Sequence, residues 1–215
     1  MSSDHLKLYQ ADGSPNSRRV RIFLAEKGIA VSLVPVDLGA KEQFSEAYLK
    51  INPRRVVPTL VLEDGTAIGE VPAILRYLEE THSKTPLLGV TPKDKALVTM
   101  WERRMELEGF AAVMETVRNA AAGLKGRAIA GAHEYAQIPA LVERGRQRVA
   151  DFYEDLEARL AAAPFVGGDQ FSVADITAIV TVDFAAKALG LPIPEDNAAS
   201  KRWYGQVSAR PSMTA

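Results

Sequence analysis

The stretch from Val56 to Leu78 constrains the fold more than any other part of the chain. The Val57-Pro58 step stands just ahead of an apolar run, Thr59 to Glu63. Asp64-Gly65 follows, and then a second run, Thr66 to Gly69. Asp-Gly between two such runs is a strong hairpin signal, because both turn residues tolerate positive φ. Proline cannot donate to a sheet ladder, so Pro58 marks the entrance to a strand rather than its middle. Pro72 suits the first turn of a helix, where the missing N–H has no partner to lose. The stretch therefore predicts strand, tight turn, strand and helix. The predicted buried face of that helix is Ile74, Tyr77 and Leu78.

The residues before it extend the pattern. Leu6 and Leu8 alternate with Lys7 and Tyr9 and predict a short strand. Gly13-Ser14-Pro15-Asn16 is a turn. A helix follows from about Ser17 with Val20, Phe23 and Leu24 on one face and Gly28 as its stop. Val31 to Val36 reads as a second strand, and Phe44 to Leu49 as a short helix. The order β-α-β-α-β-β-α fits a thioredoxin-like domain, and by order alone it admits other α/β folds. Thr81 to Pro92, with its Ser, Thr, Gly and Pro, reads as a linker.

Beyond the linker the pattern is helical throughout. Lys93 to about Asn119 carries Leu97, Met100, Trp101, Phe110, Met114 and Val117. Gly123 to Pro139 is a break. Leu141, Gly145, Val149, Phe152, Leu156 and Leu160 then mark a long amphipathic helix. Ser172 and Asp175 form a capping box, with Asp in place of the usual Glu, ahead of Ile176, Ile179, Val180 and Phe184. A last helix carries Trp203, Tyr204 and Val207. The expected architecture is α/β plus all-α: residues 1–81, a linker over 82–92, and a helical domain over 93–215.

Composition removes several function classes. The chain has no cysteine, so disulfides, thiolate nucleophiles, dithiol exchange and Cys-ligated metals are excluded. His5, His82 and His133 are scattered, so no His-based metal site is expected. Lys+Arg 26 against Asp+Glu 27, with no basic run, offers no nucleic-acid surface. Apolar runs are too short and interrupted to span a membrane, and no secretory signal opens the chain, so a cytoplasmic location is expected.

Three segments carry a resemblance. One runs from Ser14-Pro15-Asn16-Ser17-Arg18-Arg19-Val20-Arg21-Ile22 to Gly28. The second contains Val56-Val57-Pro58-Thr59-Leu60 and Glu70-Val71-Pro72-Ala73-Ile74. The third is Phe165-Val166-Gly167-Gly168-Asp169-Gln170-Phe171-Ser172-Val173-Ala174-Asp175. In this order and spacing the chain resembles the cytosolic glutathione transferase family over essentially its whole length. Arg104-Met105-Glu106-Leu107-Glu108 makes it most similar to the Gtt-type branch of fungi and its bacterial relatives.

The resemblance implies a thioredoxin-like glutathione-binding domain and a helical domain that completes an electrophile site. It implies a cis Val57-Pro58 bond, with the Val57 backbone pairing with the cysteinyl part of glutathione as an added strand. Glu70 and the helix N-terminus at Val71 would hold the γ-glutamyl end. The family usually offers a hydroxyl where this chain has Val71. Gln43 and Arg55 would meet the glycyl carboxylate, Arg55 through a planar fork suited to it. Ser14 matches the catalytic serine of the serine-type classes, with Ser17 and Asn16 as secondary candidates. A hydroxyl there would stabilise the glutathione thiolate. Helix capping by Ser14 or Ser17 is the competing reading. Some Gtt-type relatives instead use a water, and a His they carry near Arg118-Asn119 is absent here. Tyr9 is the candidate for a tyrosine-type mechanism, against packing in its strand. Met105, Phe110, Met114 and Arg118 would lie near the electrophile, although Met and aromatic residues at helical spacing also read as core.

The implied activity is conjugation of reduced glutathione to a hydrophobic electrophile, a detoxification chemistry. A peroxidase or disulfide reductase using bound glutathione's own sulfur and a non-catalytic binding protein remain as alternatives. The expected partners are glutathione, a small electrophile and a second copy in a homodimer; no metal, nucleic acid or membrane is expected.

Overall fold

The computed structural model describes residues 5–215. Backbone contacts divide the chain into two units. One holds the residues up to Thr85 together with Ala130–His133 and Thr214–Ala215; the other holds Pro86–Ile129 and Glu134–Met213.

In the first unit β1 (Lys7–Gln10), α1 (Pro15–Lys27), β2 (Ser32–Pro35), α2 (Glu46–Leu49), β3 (Thr59–Val61), β4 (Ala67–Ile68) and α3 (Val71–Thr81) follow one another. The four strands form one sheet in the order β2-β1-β3-β4. β1 runs parallel to β2 and antiparallel to β3, and β3 pairs antiparallel with β4. This is the thioredoxin-like arrangement. Leu8 and Leu60 face each other across β1 and β3 and are fully buried. Helices α1 and α3 pack together, contributing Val20, Phe23, Ile74, Leu75 and Leu78 to the core.

Two details differ from the sequence expectation. Helix α1 begins at Pro15 rather than Ser17, because proline fits the first helical position and Ser14 caps it. Leu75, not Tyr77, completes the buried face of α3. Lys27, at the end of α1, has a fully buried side chain. Its Nζ donates to Glu79 Oε2 (2.7 Å), to the Lys84 carbonyl (2.9 Å) and to the Thr85 carbonyl (3.0 Å).

The second unit is all-helical. It contains α4 (Pro92–Arg104), α5 (Ala111–Ala120), α6 (Pro139–Ala162), α7 (Val173–Leu189) and α8 (Ala198–Ser208). Residues 86–91 group with it, and the Leu87 carbonyl accepts the Val173 N–H (3.0 Å). A π-helical turn, Met105–Phe110, joins α4 to α5. Wider turns of this kind leave carbonyls to be met from elsewhere. Arg148 of α6 donates to the Leu107 carbonyl (2.7 Å). Gly109 lies so close to α6 that a Cβ there would stand 2.5 Å from the Phe152 ring.

Helix α7 is capped as its sequence predicts. The buried Asp175 carboxylate accepts from Val166 N–H (2.8 Å), Ser172 N–H (3.0 Å), Ser172 Oγ (3.2 Å) and Trp203 Nε1 (2.9 Å). Helix α8 is capped from a distance: Glu157 of α6 accepts from the Ala199 and Ser200 N–H groups (2.9 and 2.8 Å) and from Ser200 Oγ (2.8 Å). No helix among the described residues is long and apolar enough to cross a membrane.

Candidate functional site

The turn between β1 and α1 is built by hydrogen bonds in which the Ser14 and Ser17 hydroxyls act as acceptors. Ser14 is extended (φ −85, ψ 120), and its Oγ accepts the Ser17 N–H at 3.3 Å. A hydroxyl has two acceptor lone pairs and one donor. Capping therefore uses a lone pair and leaves the Ser14 O–H, which has no acceptor among the described residues. Ser14 stands at the partially positive end of α1. Ser17 is fully buried, and its Oγ accepts the Ala11 N–H (3.3 Å). Asn16 Oδ1 accepts from Arg19 (3.2 Å). Arg21 ties the turn down by donating to Gln10 Oε1 (2.5 Å) and to the Asp12 carbonyl (3.3 Å). Tyr9 packs edge-on against Tyr48, with ring centroids 6.1 Å apart.

The Val57–Pro58 peptide is cis. Among the described residues the Val57 N–H and C=O have no hydrogen-bond partner. Main-chain groups normally find one, so this unpaired pair is a candidate contact for an extended ligand.

Glu70 occupies the N-cap position of α3 in an unusual conformation, φ 61 and ψ 123, without a side-chain capping bond. Such a backbone costs about 1–3 kcal/mol in a residue other than glycine and recurs where a site needs it. Its side chain is mostly exposed, 3.7 Å from Arg54 Nε. The Ala73 and Ile74 N–H groups both bond the Glu70 carbonyl (3.1 Å each), and Pro72 has none. The first turn thus offers a ligand the Val71 N–H alone. The Val71 side chain is buried, which accounts for its apolar character.

Gln43 is buried, and its Oε1 has no hydrogen-bond partner. Arg55, also at positive φ (60), stacks its guanidinium 5.5 Å above the ring of Phe44, the residue after Gln43. Its Nε is buried without a partner. Both residues thus carry a buried polar atom without a partner.

In the helical unit Met105 and Phe110 are core residues, 1% and 5% exposed, with Phe110 against Phe184. Their surface is taken up by packing, so of the four electrophile candidates only Met114 and Arg118 are partly exposed. Arg118 donates to the Arg127 carbonyl (2.6 Å), and burial followed by the Arg127 charge lowers its pKa. Among the described residues no cluster of His, Asp or Glu is arranged to hold a metal.

Sequence reasoning missed Tyr48, Asn52 and Thr59. The Tyr48 hydroxyl donates to the Val56 carbonyl (2.6 Å) and lies 3.2 Å from Thr59 Oγ1. Asn52 Nδ2 donates to the Val56 carbonyl (3.1 Å) and to Thr59 Oγ1 (2.8 Å). Three residues able to hydrogen-bond, in α2, the loop after it and β3, flank the Val-Pro step and were the available signal.

Comparison with known proteins agrees with the two-unit fold. Residues 8–86 match the glutathione S-transferase N-terminal domain, and residues 139–206 match the glutathione S-transferase C-terminal domain. Glutathione S-transferase 2 of Saccharomyces cerevisiae is 34% identical over 96% of this chain and 87% of its own length. The crystal structure of Gtt2 from that yeast superposes with a TM-score of 0.87, covering 97% of this chain and 98% of its own. A glutathione S-transferase domain-containing protein of Marinobacter aquaeolei gives 0.88 at 35% identity, covering 96% and 99%. A Gtt2-class glutathione S-transferase of Vibrio parahaemolyticus gives 0.83 at 33% identity, covering 97% and 96%. With both domain models matched and relatives this similar over nearly the whole chain, the chain belongs to the glutathione S-transferase family and resembles its Gtt2-type members.

Proposed function

We propose that the protein conjugates reduced glutathione to a hydrophobic electrophile, with Ser14 as the catalytic hydroxyl. The observation that carries this is the Ser14 O–H, left without an acceptor while its oxygen caps α1. It donates to the glutathione sulfur and favours the thiolate. The thiol proton leaves to solvent, and the sulfur lone pair forms a C–S bond as the leaving group departs with its electrons. A hydrogen bond to a charged group contributes about 1.5–3 kcal/mol, which is roughly ten- to hundredfold in thiolate population or rate.

Glutathione itself is read along the first unit. The Val71 N–H and Glu70 take the γ-glutamyl end, the Val57 backbone takes the cysteinyl part, and Gln43 with Arg55 takes the glycyl carboxylate. Ser14→Ala should lower kcat with an aryl halide by roughly tenfold or more and raise the pKa of bound glutathione, read from thiolate absorbance, with little change in glutathione affinity. An unchanged rate and thiol pKa would assign the activation to another group. Should calorimetry detect no heat at millimolar glutathione, a non-catalytic role would replace this one, and the missing hydroxyl at Val71 would be its cause.

The protein works in this reading as a cytoplasmic homodimer. The exposed stripe of Leu97, Met100 and Leu107 at helical spacing supports a covered face. Light scattering that returns a monomer mass at micromolar concentration would remove that part.

A further inference from the structure

Val56 C=O and Val57 N–H belong to one peptide unit. In a trans unit these two groups point to opposite sides of a rigid plane. Whatever holds the Val56 carbonyl therefore also aims the Val57 N–H.

The carbonyl is held by two donors at once. The Tyr48 hydroxyl bonds it at 2.6 Å and Asn52 Nδ2 at 3.1 Å, so both of its lone pairs are occupied. The proton order around the cluster is self-consistent. Tyr48 gives its proton to Val56, and Asn52 gives its two to Val56 and Thr59. Thr59 is left to donate to the Tyr48 oxygen at 3.2 Å. Asn52 Oδ1 accepts the Arg54 N–H (2.9 Å), which completes the loop. Tyr48, Asn52 and Thr59 are 3%, 6% and 1% exposed, so solvent does not substitute for any of these bonds. Burial raises the Tyr48 pKa, which keeps its hydroxyl a donor at neutral pH. Tyr48 is fixed in turn by packing with Ala11, Val36 and Val57 itself. Asn52 also borders the approach to α3: a Cβ on Gly69 would stand 3.7 Å from its Nδ2.

We infer that Tyr48 and Asn52 are positioning residues for glutathione binding. By seating the Val56 carbonyl they turn the Val57 N–H towards the cysteinyl backbone of the peptide. This rests on the reading of Val57 as a glutathione contact. Neither side chain touches the ligand, and neither takes part in the thiol chemistry. Thr59 belongs to the cluster but gives nothing to Val56, which separates positioning from general support of the fold.

The test uses full-length Tyr48→Phe, Asn52→Asp and Thr59→Val proteins. Glutathione Kd is measured by calorimetry, KM and kcat with an aryl halide, and Tm by thermal unfolding. Tyr48→Phe should raise the Kd and KM for glutathione roughly three- to tenfold, and Asn52→Asp roughly tenfold or more. Saturated kcat and the KM for the aryl halide should stay within about twofold of the wild type. Thr59→Val should lower Tm yet leave the glutathione Kd within about twofold. Should Asn52→Asp fail to fold, Tyr48→Phe decides alone, since phenylalanine keeps the packed ring. Wild-type affinity in Tyr48→Phe overturns the inference, as does loss of affinity in all three variants in step with Tm. A wild-type protein that binds no glutathione overturns the functional reading and this inference together, whereas a tight-binding wild type with the wrong variant pattern overturns only the positioning role.

Discussion

Asp175→Ala tests the central energetic feature of the helical unit. The carboxylate gathers four donors, three of which have no alternative: the Val166 and Ser172 N–H groups and Trp203 Nε1. All four residues are buried. Ser172 Oγ can rotate away, but a backbone N–H or an indole N–H cannot. An orphaned buried donor costs about 1–3 kcal/mol. Three of them, with some relief from water entering the space left by the carboxylate, come to about 4–6 kcal/mol. That is a large part of the 5–15 kcal/mol typical of a folded protein. For a chain of this size the Tm should fall by roughly 10–20 °C. Urea unfolding followed by circular dichroism and by tryptophan fluorescence measures the loss, and Trp203 reports it from inside the cluster. Asp175→Asn keeps one carbonyl oxygen for two of the donors and should lose about half as much. Burial, partly offset by the four donors, pushes the Asp175 carboxyl up to about 6. A carboxyl raised above its unfolded value contributes most below about pH 4, and that contribution is lost as pH rises through about 6. The gap between wild type and Asp175→Asn should therefore narrow between about pH 4 and 7, by at most about 3 kcal/mol. An Asp175→Ala protein within about 1 kcal/mol of wild type would refute the argument that orphaned donors dominate.

Two further outcomes concern the starts of α3 and α8. Val71→Thr restores a hydroxyl at the start of α3 and should tighten glutathione binding by roughly tenfold in calorimetry, at a stability loss of about 1–2 kcal/mol for burying a hydroxyl when no ligand is bound; an unchanged Kd would mean the Val71 N–H suffices alone. Glu157→Gln should cost about 1–2 kcal/mol at pH 7. Desolvation raises the Glu157 pKa, but the Ala199 and Ser200 donors and Arg202 outweigh it and hold it below the usual range. This contribution is full above about pH 4.3 and disappears as acid titrates the carboxylate, so the two proteins should converge in urea melts near pH 3. A gap that stays constant with pH would show that the charge is irrelevant to the cap.

The site was legible in proportion to how local its chemistry is. Val57-Pro58, Glu70-Val71 and Ser14 lie in short runs where proline, a capping residue or a hairpin turn announces the backbone, and their positions follow from the motif. Ser14 also shows where local reasoning stops. Its sequence admits capping or catalysis, and only the direction of the Ser17 N–H bond shows that one hydroxyl has the capacity for both. The resemblance puts Met105 and Phe110 near an electrophile site, whereas their helical spacing reads as core. Packing within the helical unit buries them.

The sequence by itself determined the order of elements, the hairpin, the starts of α3 and α7 and the absence of any thiol chemistry by the protein. Each depends on residues within one or two turns of one another, so propensity and capping decide it. The tertiary structure alone decided the rest. It placed a π turn inside what reads as one long helix, where Gly109 meets Phe152. It assigned the cap of α8 to Glu157, more than one helix away. It closed Tyr48, Asn52 and Thr59 around the Val56 carbonyl. The physical reason is the same in each case. A buried donor or acceptor must find a partner wherever the folded chain brings one, and that partner is set by packing in three dimensions, which no local pattern encodes.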